Sequence, residues 1–255
     1  MIDEDRVQRE KDAYNDPDGF LKNSIALQSR FSHVFKSPNS VRMETDLEAM
    51  MGKVEGKVVL DYGCYSGGVS LVLSDNGAKR VVGIDISERG VKQAKKKNIK
   101  HAEFHVMDAH KTTFDDNTFD YIFGRSILHH LDWEIALKEI ERILKPGGIA
   151  VFTEPLNINP FAKLLRAITK SARTHDELAL QLWHLRTASQ IFPGSKNSYY
   201  NLLTVPVGML SSKLSKNPNN VVMRTVDVVD RLLLKTPLKY WSRVTLVRWQ
   251  KKTKD

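Results

Sequence analysis

The chain has a single cysteine, Cys64, in 255 residues, so no internal disulfide can form and a disulfide-stapled scaffold is excluded. It lacks any apolar run approaching the ~20 residues that span a bilayer, so nothing in it reads as a transmembrane helix. The opening Met1-Ile2-Asp3-Glu4-Asp5 is acidic and lacks the basic-then-apolar pattern of a secretory leader. With one thiol, this leads to the expectation of a reducing, cytoplasmic setting. Internal repeats and low-complexity tracts are absent too, which argues against a solenoid.

Net charge is missing from most of the chain. The formal total is +9, yet from Lys196 onward twelve lysines and arginines face only Asp227, Asp230 and Asp255, so the first 195 residues are formally neutral. Tyr199, Tyr200, Tyr240, Trp241 and Trp249 are interspersed with this basic excess. Rings beside cations stack nucleic-acid bases, but they also fill a β-hairpin core with lysine stems lying over it. The second reading is preferred here, with 196–255 as a β-hairpin region, although an anionic small substrate or a lipid surface can use the same charge. The Lys95-Lys96-Lys97 run is read as a solvated helix end.

What is present is ordinary for a globular protein, 41% hydrophobic and 27% charged, at a length that suits one large α/β domain with additions. Residues 1–53 read as a polar, amphipathic helical cap, with turn signals at 15–19 and at Ser37-Pro38-Asn39. From Lys57 short apolar strands alternate with helices, the pattern of a parallel sheet covered on both faces. Strands are expected at 58–60, 80–85, 102–107, 119–123 and 149–153. Ser87 and Asp132 are expected as helix caps, and Pro146-Gly147-Gly148 as a helix stop. Beyond Glu154 the alternation weakens. Helices are expected over 161–169, 176–191 and 223–234, and strands over 199–205 and 244–249. The helices within 160–192 are read as a cover over substrate, and His175 and His184 as surface or packing histidines.

The most informative stretch is Val58-Val59-Leu60-Asp61-Tyr62-Gly63-Cys64-Tyr65-Ser66-Gly67-Gly68, a strand, a glycine turn and a helix start. Such turns bring backbone close to a ligand at the carboxyl edge of a parallel sheet. A pyrophosphate-binding turn wants glycine where Tyr65 stands, and Asp61 puts a carboxylate at the strand end. A negative side chain there repels phosphate and suits a ligand carrying an ammonium group, which makes a nicotinamide dehydrogenase a poor reading. Asp85 ends the next strand, 18 positions after Gly67, where its oxygens can accept both hydroxyls of a ribose. Asp108 ends the third, placed to accept from an adenine amino group.

These residues resemble the class I S-adenosylmethionine-dependent methyltransferase family. Asp61-x-Gly63-x-x-x-Gly67 is similar to its first motif, Asp85 to its ribose-binding acid and Asp108 to its adenine-contacting acid. Phe119-Asp120-Tyr121-Ile122 resembles its fourth strand, and Leu144-Lys145-Pro146-Gly147-Gly148 the turn before its fifth. The likeness covers 54–155 and extends loosely, through Thr153-Glu154-Pro155 and Asn159-Pro160, toward a bacterial small-molecule branch. Tyr65 departs from it, standing where the family usually has glycine, so its side chain must point away from the methionine moiety or pack on it.

The resemblance implies a Rossmann-like α/β domain over 54–255, with a seven-stranded, mostly parallel sheet, an antiparallel last strand and helices on both faces. It implies S-adenosylmethionine as cofactor, S-adenosylhomocysteine as product and no metal. Cofactor contacts carry over to Asp61, Gly63, Cys64, Tyr65 and Gly67, to Asp85 and Ile86, to Asp108 and Ala109, and to Arg125. The loop after strand four, Gly124 to Leu131, then faces the reacting methyl. Transfer is an in-line displacement, for which the protein aligns the nucleophile and, where needed, takes its proton. His129 and His130 are candidates for that base, at most one of them facing substrate, and Glu154 for a substrate contact or an arginine partner. The expected reaction is methylation of an oxygen or nitrogen of a metabolite, glycan, lipid or natural-product intermediate. An RNA or DNA methyltransferase and a non-catalytic cofactor-binding protein stay open as alternatives. Oligomeric state is not legible.

Overall fold

A computed structural model describes residues 2–16 and 18–253. Met1, Lys254, Asp255 and Pro17, the last within the turn expected at 15–19, lie outside the described residues. The strands are β1 (Val58–Tyr62), β2 (Arg80–Asp85), β3 (Ala102–Val106), β4 (Phe119–Arg125), β5 (Leu144–Pro155), β6 (Lys196–Tyr200) and β7 (Val244–Gln250). They form one sheet in the order β3-β2-β1-β4-β5-β7-β6. β1 to β5 are parallel, and β7 runs antiparallel between β5 and β6. The fold is the Rossmann-like one expected.

The helices are α1 (Glu4–Asn15), α2 (Phe20–Arg30), α3 (Ser32–Phe35), α4 (Pro38–Met51), α5 (Gly68–Asp75), α6 (Glu88–Lys96), α7 (Trp133–Ile143), α8 (Pro160–Ile168), α9 (Leu182–Ile191), α10 (Thr204–Leu214) and α11 (Val221–Leu233). Ser87 accepts from Gly90 N and Asp132 from Ile135 N, so both expected caps start their helices. The central strands are apolar on consecutive positions because both faces are covered. Val59, Val81, Phe123 and Val151 pack with Leu47 and Met51 of α4 and Leu73 of α5. Their neighbours Leu60, Val82, Ile122 and Ala150 pack with Leu137, Ile140 and Ile143 of α7 and with Leu185 and Ala188 of α9.

Three boundaries after Glu154 differ from expectation. α9 begins at Leu182, not at Asp176, because the preceding backbone is already bonded elsewhere: Leu178 N donates to His129 O at 2.8 Å and Leu180 N to Pro155 O at 2.9 Å. β6 ends at Tyr200, where Asn201 turns to a positive φ of 62°. Finally, 196–255 is no hairpin. β6 and β7 do pair antiparallel, but their connection holds α10, α11 and a 3-10 turn at Pro237–Trp241. Buried acids anchor this insertion: Asp230 accepts from Leu203 N at 2.8 Å and Thr204 Oγ1 at 2.9 Å, and Asp227 from Asn39 Nδ2 at 3.0 Å. Part of the basic excess has structural partners. Lys251 Nζ donates to Glu141 O and Leu144 O at the end of α7, and Lys239 lies over the rings of Tyr199 and Tyr240.

Candidate functional site

The turn after β1 is shaped by backbone that only certain residues tolerate. Gly63 and Gly67 have φ of 83° and 73°, and Tyr65 between them has 41°, rare for a residue with a side chain. Tyr65 is held there by its N–H, which donates to Asp85 Oδ2 at 2.7 Å. Its ring packs on Gly90 of α6, where a Cβ would lie 2.7 Å from it, and faces Tyr14 of α1. The missing side chain at Gly90 thus accommodates the extra one at Tyr65. Gly67 caps α5 and packs on Ala94 and Phe104, which leaves no room for a Cβ without displacement.

Beyond this turn, at the carboxyl edge of the sheet, lies a cavity of about 230 Å³. Gly63, Tyr65, Asp85 and Ile86 line one side, Asp108 and Ala109 another, and Arg125 and His130 a third. Asp61, Cys64 and Gly67 do not line it. Cys64 turns into a core cluster with Val91, Ala94 and Phe104, and burial pushes its thiol pKa up, so only its backbone belongs to the turn.

Asp61 sits beneath the turn, buried, with Oδ2 accepting from Ser70 Oγ at 2.5 Å. Burial raises its carboxyl to about 7, Ser70 opposing the rise and the nearby Asp85 charge adding to it. An unfolded chain loses that proton near pH ~3.9. Between about pH 4 and 7 the folded state therefore holds a proton the unfolded state has released, and this stabilising contribution falls as pH rises through that window. Asp61→Asn is expected to flatten the fall in urea midpoint between pH 5 and 8; parallel profiles for the two proteins would sink this assignment.

Asp85 ends β2 with each oxygen taking one backbone N–H, Oδ2 from Tyr65 and Oδ1 from Ser87 at 2.8 Å. Burial raises its carboxyl while those two donors oppose the rise. Each carboxylate oxygen has a further lone pair for a hydroxyl. Asp108 Oδ1 accepts from both the backbone N–H and Nδ1 of His110, at 2.9 and 2.7 Å, and His110 Nε2 accepts from Asp132 N. Burial works to raise the Asp108 carboxyl, but the His110 bonds outweigh it and hold it below the usual range. Its role as a local cap and its place on the cavity wall coexist. These acids, spaced along one strand edge, fit a nucleoside bearing an amino acid. Arg125 is half-exposed and clamped by Glu44, NH2 to Oε2 at 2.6 Å and NH1 to Oε1 at 3.1 Å.

The loop after β4 is organised by Glu154, which is fully buried at the end of β5. Its Oε1 accepts from Ile127 N and Leu128 N, both at 2.9 Å, and its Oε2 lies 2.7 Å from His129 Nδ1. Its partners are therefore a histidine and two amides, and not the arginine weighed from sequence. With Nδ1 bound to the carboxylate of Glu154, His129 turns Nε2 toward the second cavity, 3.8 Å from Glu177 Oε2 and beyond hydrogen-bond distance of it. His130 has both ring nitrogens engaged by α1: Nε2 lies 3.1 Å from Tyr14 Oη, and Nδ1 3.1 Å from Glu10 Oε2. Burial, then the neighbouring His129, lowers its pKa, so it is neutral near pH 7. The two adjacent histidines thus have different partners, one tied to the sheet and one to the cap.

His129, His130 and Glu154 line a second cavity of about 440 Å³ that shares Tyr14, Leu21, Arg125, Ser126 and His130 with the first. The cap closes over both. Arg9 pairs with Asp176 at 2.6 Å, Asn23 donates to Ser171 O at 3.0 Å, and Thr174 donates to Glu10 at 2.8 Å. Tyr14 and Glu10 were invisible from sequence, because nothing local marks a helix that folds back over a distant sheet edge. His110 adjoins Asp108 in sequence, and that spacing was the available signal for it.

Among the described residues, His129, His130 and Glu177 bring three possible metal-ligand atoms within 4.8 Å of one another. Glu177 is already paired with Arg166 at 3.0 Å and Arg173 at 3.5 Å, two positive charges that disfavour a cation there. Of the other histidines, His175 is exposed, whereas His184 is buried, accepts from Gln181 N and stacks on Trp183. No helix among the described residues is long and apolar enough to cross a membrane.

Residues 60–152 match the family model described as a methyltransferase domain. Phosphoethanolamine N-methyltransferase 3 of Arabidopsis thaliana is 34% identical over 132 residues, covering 49% of this chain and 26% of that protein. Demethylmenaquinone methyltransferase of Staphylococcus carnosus is 38% identical over 105 residues, covering 39% and 44%. The chain thus spans less than half the length of these relatives. A solved Haemonchus contortus phosphoethanolamine N-methyltransferase 2, bound to phosphomonomethylethanolamine and S-adenosylhomocysteine, superposes with a TM-score of 0.60 at 17% identity, covering 94% of this chain and 60% of that one. The sheet order, the β1 turn with its row of acids and the matched segment converge: residues 60–152 carry a methyltransferase domain, set in a Rossmann-like sheet.

Proposed function

We propose that this protein transfers a methyl group from S-adenosylmethionine to an oxygen or nitrogen of a small molecule. The observation that carries the reading is the junction of the two cavities, where the acid-lined crevice opens beside a carboxylate-oriented histidine. In this reading Gly63 and the Tyr65 backbone border the methionine end, Asp85 and Ile86 the ribose, and Asp108 and Ala109 the adenine. Asp61 acts from beneath the turn, by its field and by bracing Ser70, and Cys64 and Gly67 shape the turn without touching ligand. S-adenosylmethionine supplies an electrophilic methyl on a sulfonium and leaves as S-adenosylhomocysteine.

His129 Nε2 takes the proton the acceptor releases as its new bond to carbon forms. Glu154 positions His129 and stabilises the imidazolium. His130, Tyr14 and Glu10 latch α1 over the junction, and residues 1–53 and 160–192 form the cover that excludes water. The relatives are named for small acceptors, which favours a metabolite, lipid or natural-product intermediate over nucleic acid. The buried, lone Cys64 suits a reducing cytoplasm.

The test is incubation with methyl-labelled cofactor and fractionated cell extract. Label is expected in a small-molecule fraction. Label in RNA or DNA would move the assignment to nucleic acid, and cofactor binding with no label anywhere would leave a binding protein.

A further inference from the structure

The second cavity contains four arginines, and three have acid partners. Arg125 is held by Glu44, and Arg166 and Arg173 by Glu177. Arg243 has none: among the described residues no carboxylate or carbonyl oxygen pairs with its side chain, and its Nε is buried without a hydrogen-bond partner. The residue is mostly buried, its guanidinium packed 4.7 Å from the centre of the Phe35 ring. Burial alone acts on its pKa, lowering it to about 10 with no neighbouring acid to raise it. It remains a cation at neutral pH, so the fold keeps a desolvated charge that faces one aromatic ring and no counter-ion, an arrangement that costs stability unless an anion pairs with it.

Its place in the sheet says where that something sits. Arg243 immediately precedes β7, the antiparallel strand, and its carbonyl accepts from Leu156 N at 2.8 Å. It therefore lies at the carboxyl edge of the parallel strands. Thr245, two positions along, is paired with Glu154, the residue that holds His129. The backbone distance between those two positions is about 7 Å. The Phe35 ring lies against the guanidinium, and the cavity it shares is lined by Met43, Leu165 and Val244 as well as by Glu44, Glu154 and Glu177, none of which pairs with Arg243.

We propose that Arg243 is the seat of an oxyanion, a carboxylate or phosphate group carried by the methyl acceptor on an apolar body. The planar guanidinium matches either group in a two-pronged hydrogen bond, strengthened by the surrounding low dielectric. This assignment names the acceptor class of the methyltransferase reading above and rests on that reading for the word acceptor.

The experiment measures binding of hexanoate, hexyl phosphate, inorganic phosphate and uncharged hexanol by calorimetry, each with and without saturating S-adenosylhomocysteine. Wild-type protein is expected to bind one of the hexyl anions, and which one separates carboxylate from phosphate. Arg243→Met is expected to lose that binding by at least about tenfold, the loss of a charge-assisted hydrogen bond, with Arg243→Lys between. Hexanol is expected to bind the wild type and the Met variant alike. Since the unliganded protein holds an unpaired cation, Arg243→Met is also expected to melt no lower than wild type when no anion is present. Equal anion affinity in both proteins, no anion binding by wild type, or a methionine variant that melts well below it would overturn the anion seat. If S-adenosylhomocysteine fails to bind while the arginine-dependent anion binding persists, the seat stands and the methyltransferase reading falls.

Discussion

His129→Ala is expected to lower methyl transfer by about 10²- to 10⁴-fold, the range for loss of a positioned general base, with S-adenosylhomocysteine affinity unchanged. The expectation follows from the different partners of the two histidines. His129 is held through Nδ1 by a buried carboxylate and presents Nε2, whereas both nitrogens of His130 are occupied by Tyr14 and Glu10 of the cap. His130→Ala should therefore loosen the cover and weaken cofactor binding more than it slows the chemistry. Glu154→Gln keeps shape and volume but leaves a neutral amide facing His129. It is expected to slow turnover with S-adenosylhomocysteine affinity unchanged, because the ring loses the carboxylate that orients its Nδ1. A purely structural Glu154 would change yield or melting temperature and leave kcat of the folded variant in place. Two fully active alanine variants would remove histidine from the mechanism.

Asp85→Ala is expected to weaken S-adenosylmethionine binding by about 1 to 3 kcal/mol, roughly 5- to 150-fold, the cost of removing polar partners from a buried site. The carboxylate has two tasks. It accepts from Tyr65 N and Ser87 N, which holds the β1 turn in its shape, and it lines the cavity. Asp85→Asn retains one acceptor oxygen and is expected to lose less. Calorimetric affinity equal to wild type in the alanine variant would refute the ribose assignment.

The core of the domain was readable because its signals are local. Val58-Val59-Leu60 running into Gly63 can only be a covered strand entering a tight turn, and the 18-residue step from Gly67 to Asp85 is set by one helix and one strand. Ser87 and Asp132 cap their helices through bonds three residues away, so spacing alone identified them. The errors fall where distant groups compete for backbone. Residues before Leu182 have an acceptable helical pattern, but His129 O and Pro155 O take the amides of Leu178 and Leu180. The aromatic residues after Lys196 suggested a hairpin, yet Asp227 and Asp230 are buried anchors for two intervening helices, which composition cannot reveal. Tyr65 was seen as a departure from the glycine pattern, but its accommodation by Gly90 was not, since that contact joins a turn to the next helix but one strand.

By itself the amino-acid order determined the strand and helix alternation, the glycine turn and the acids at three successive strand ends, because each depends on bonds and spacings within a few tens of residues. Tertiary structure alone decided which histidine is tied to the cap, which helix covers the crevice and which arginine of the second cavity is left without an acid. Those outcomes depend on side chains brought together from positions more than a hundred residues apart, such as Tyr14 with His130 and Phe35 with Arg243, and no local pattern encodes such a meeting.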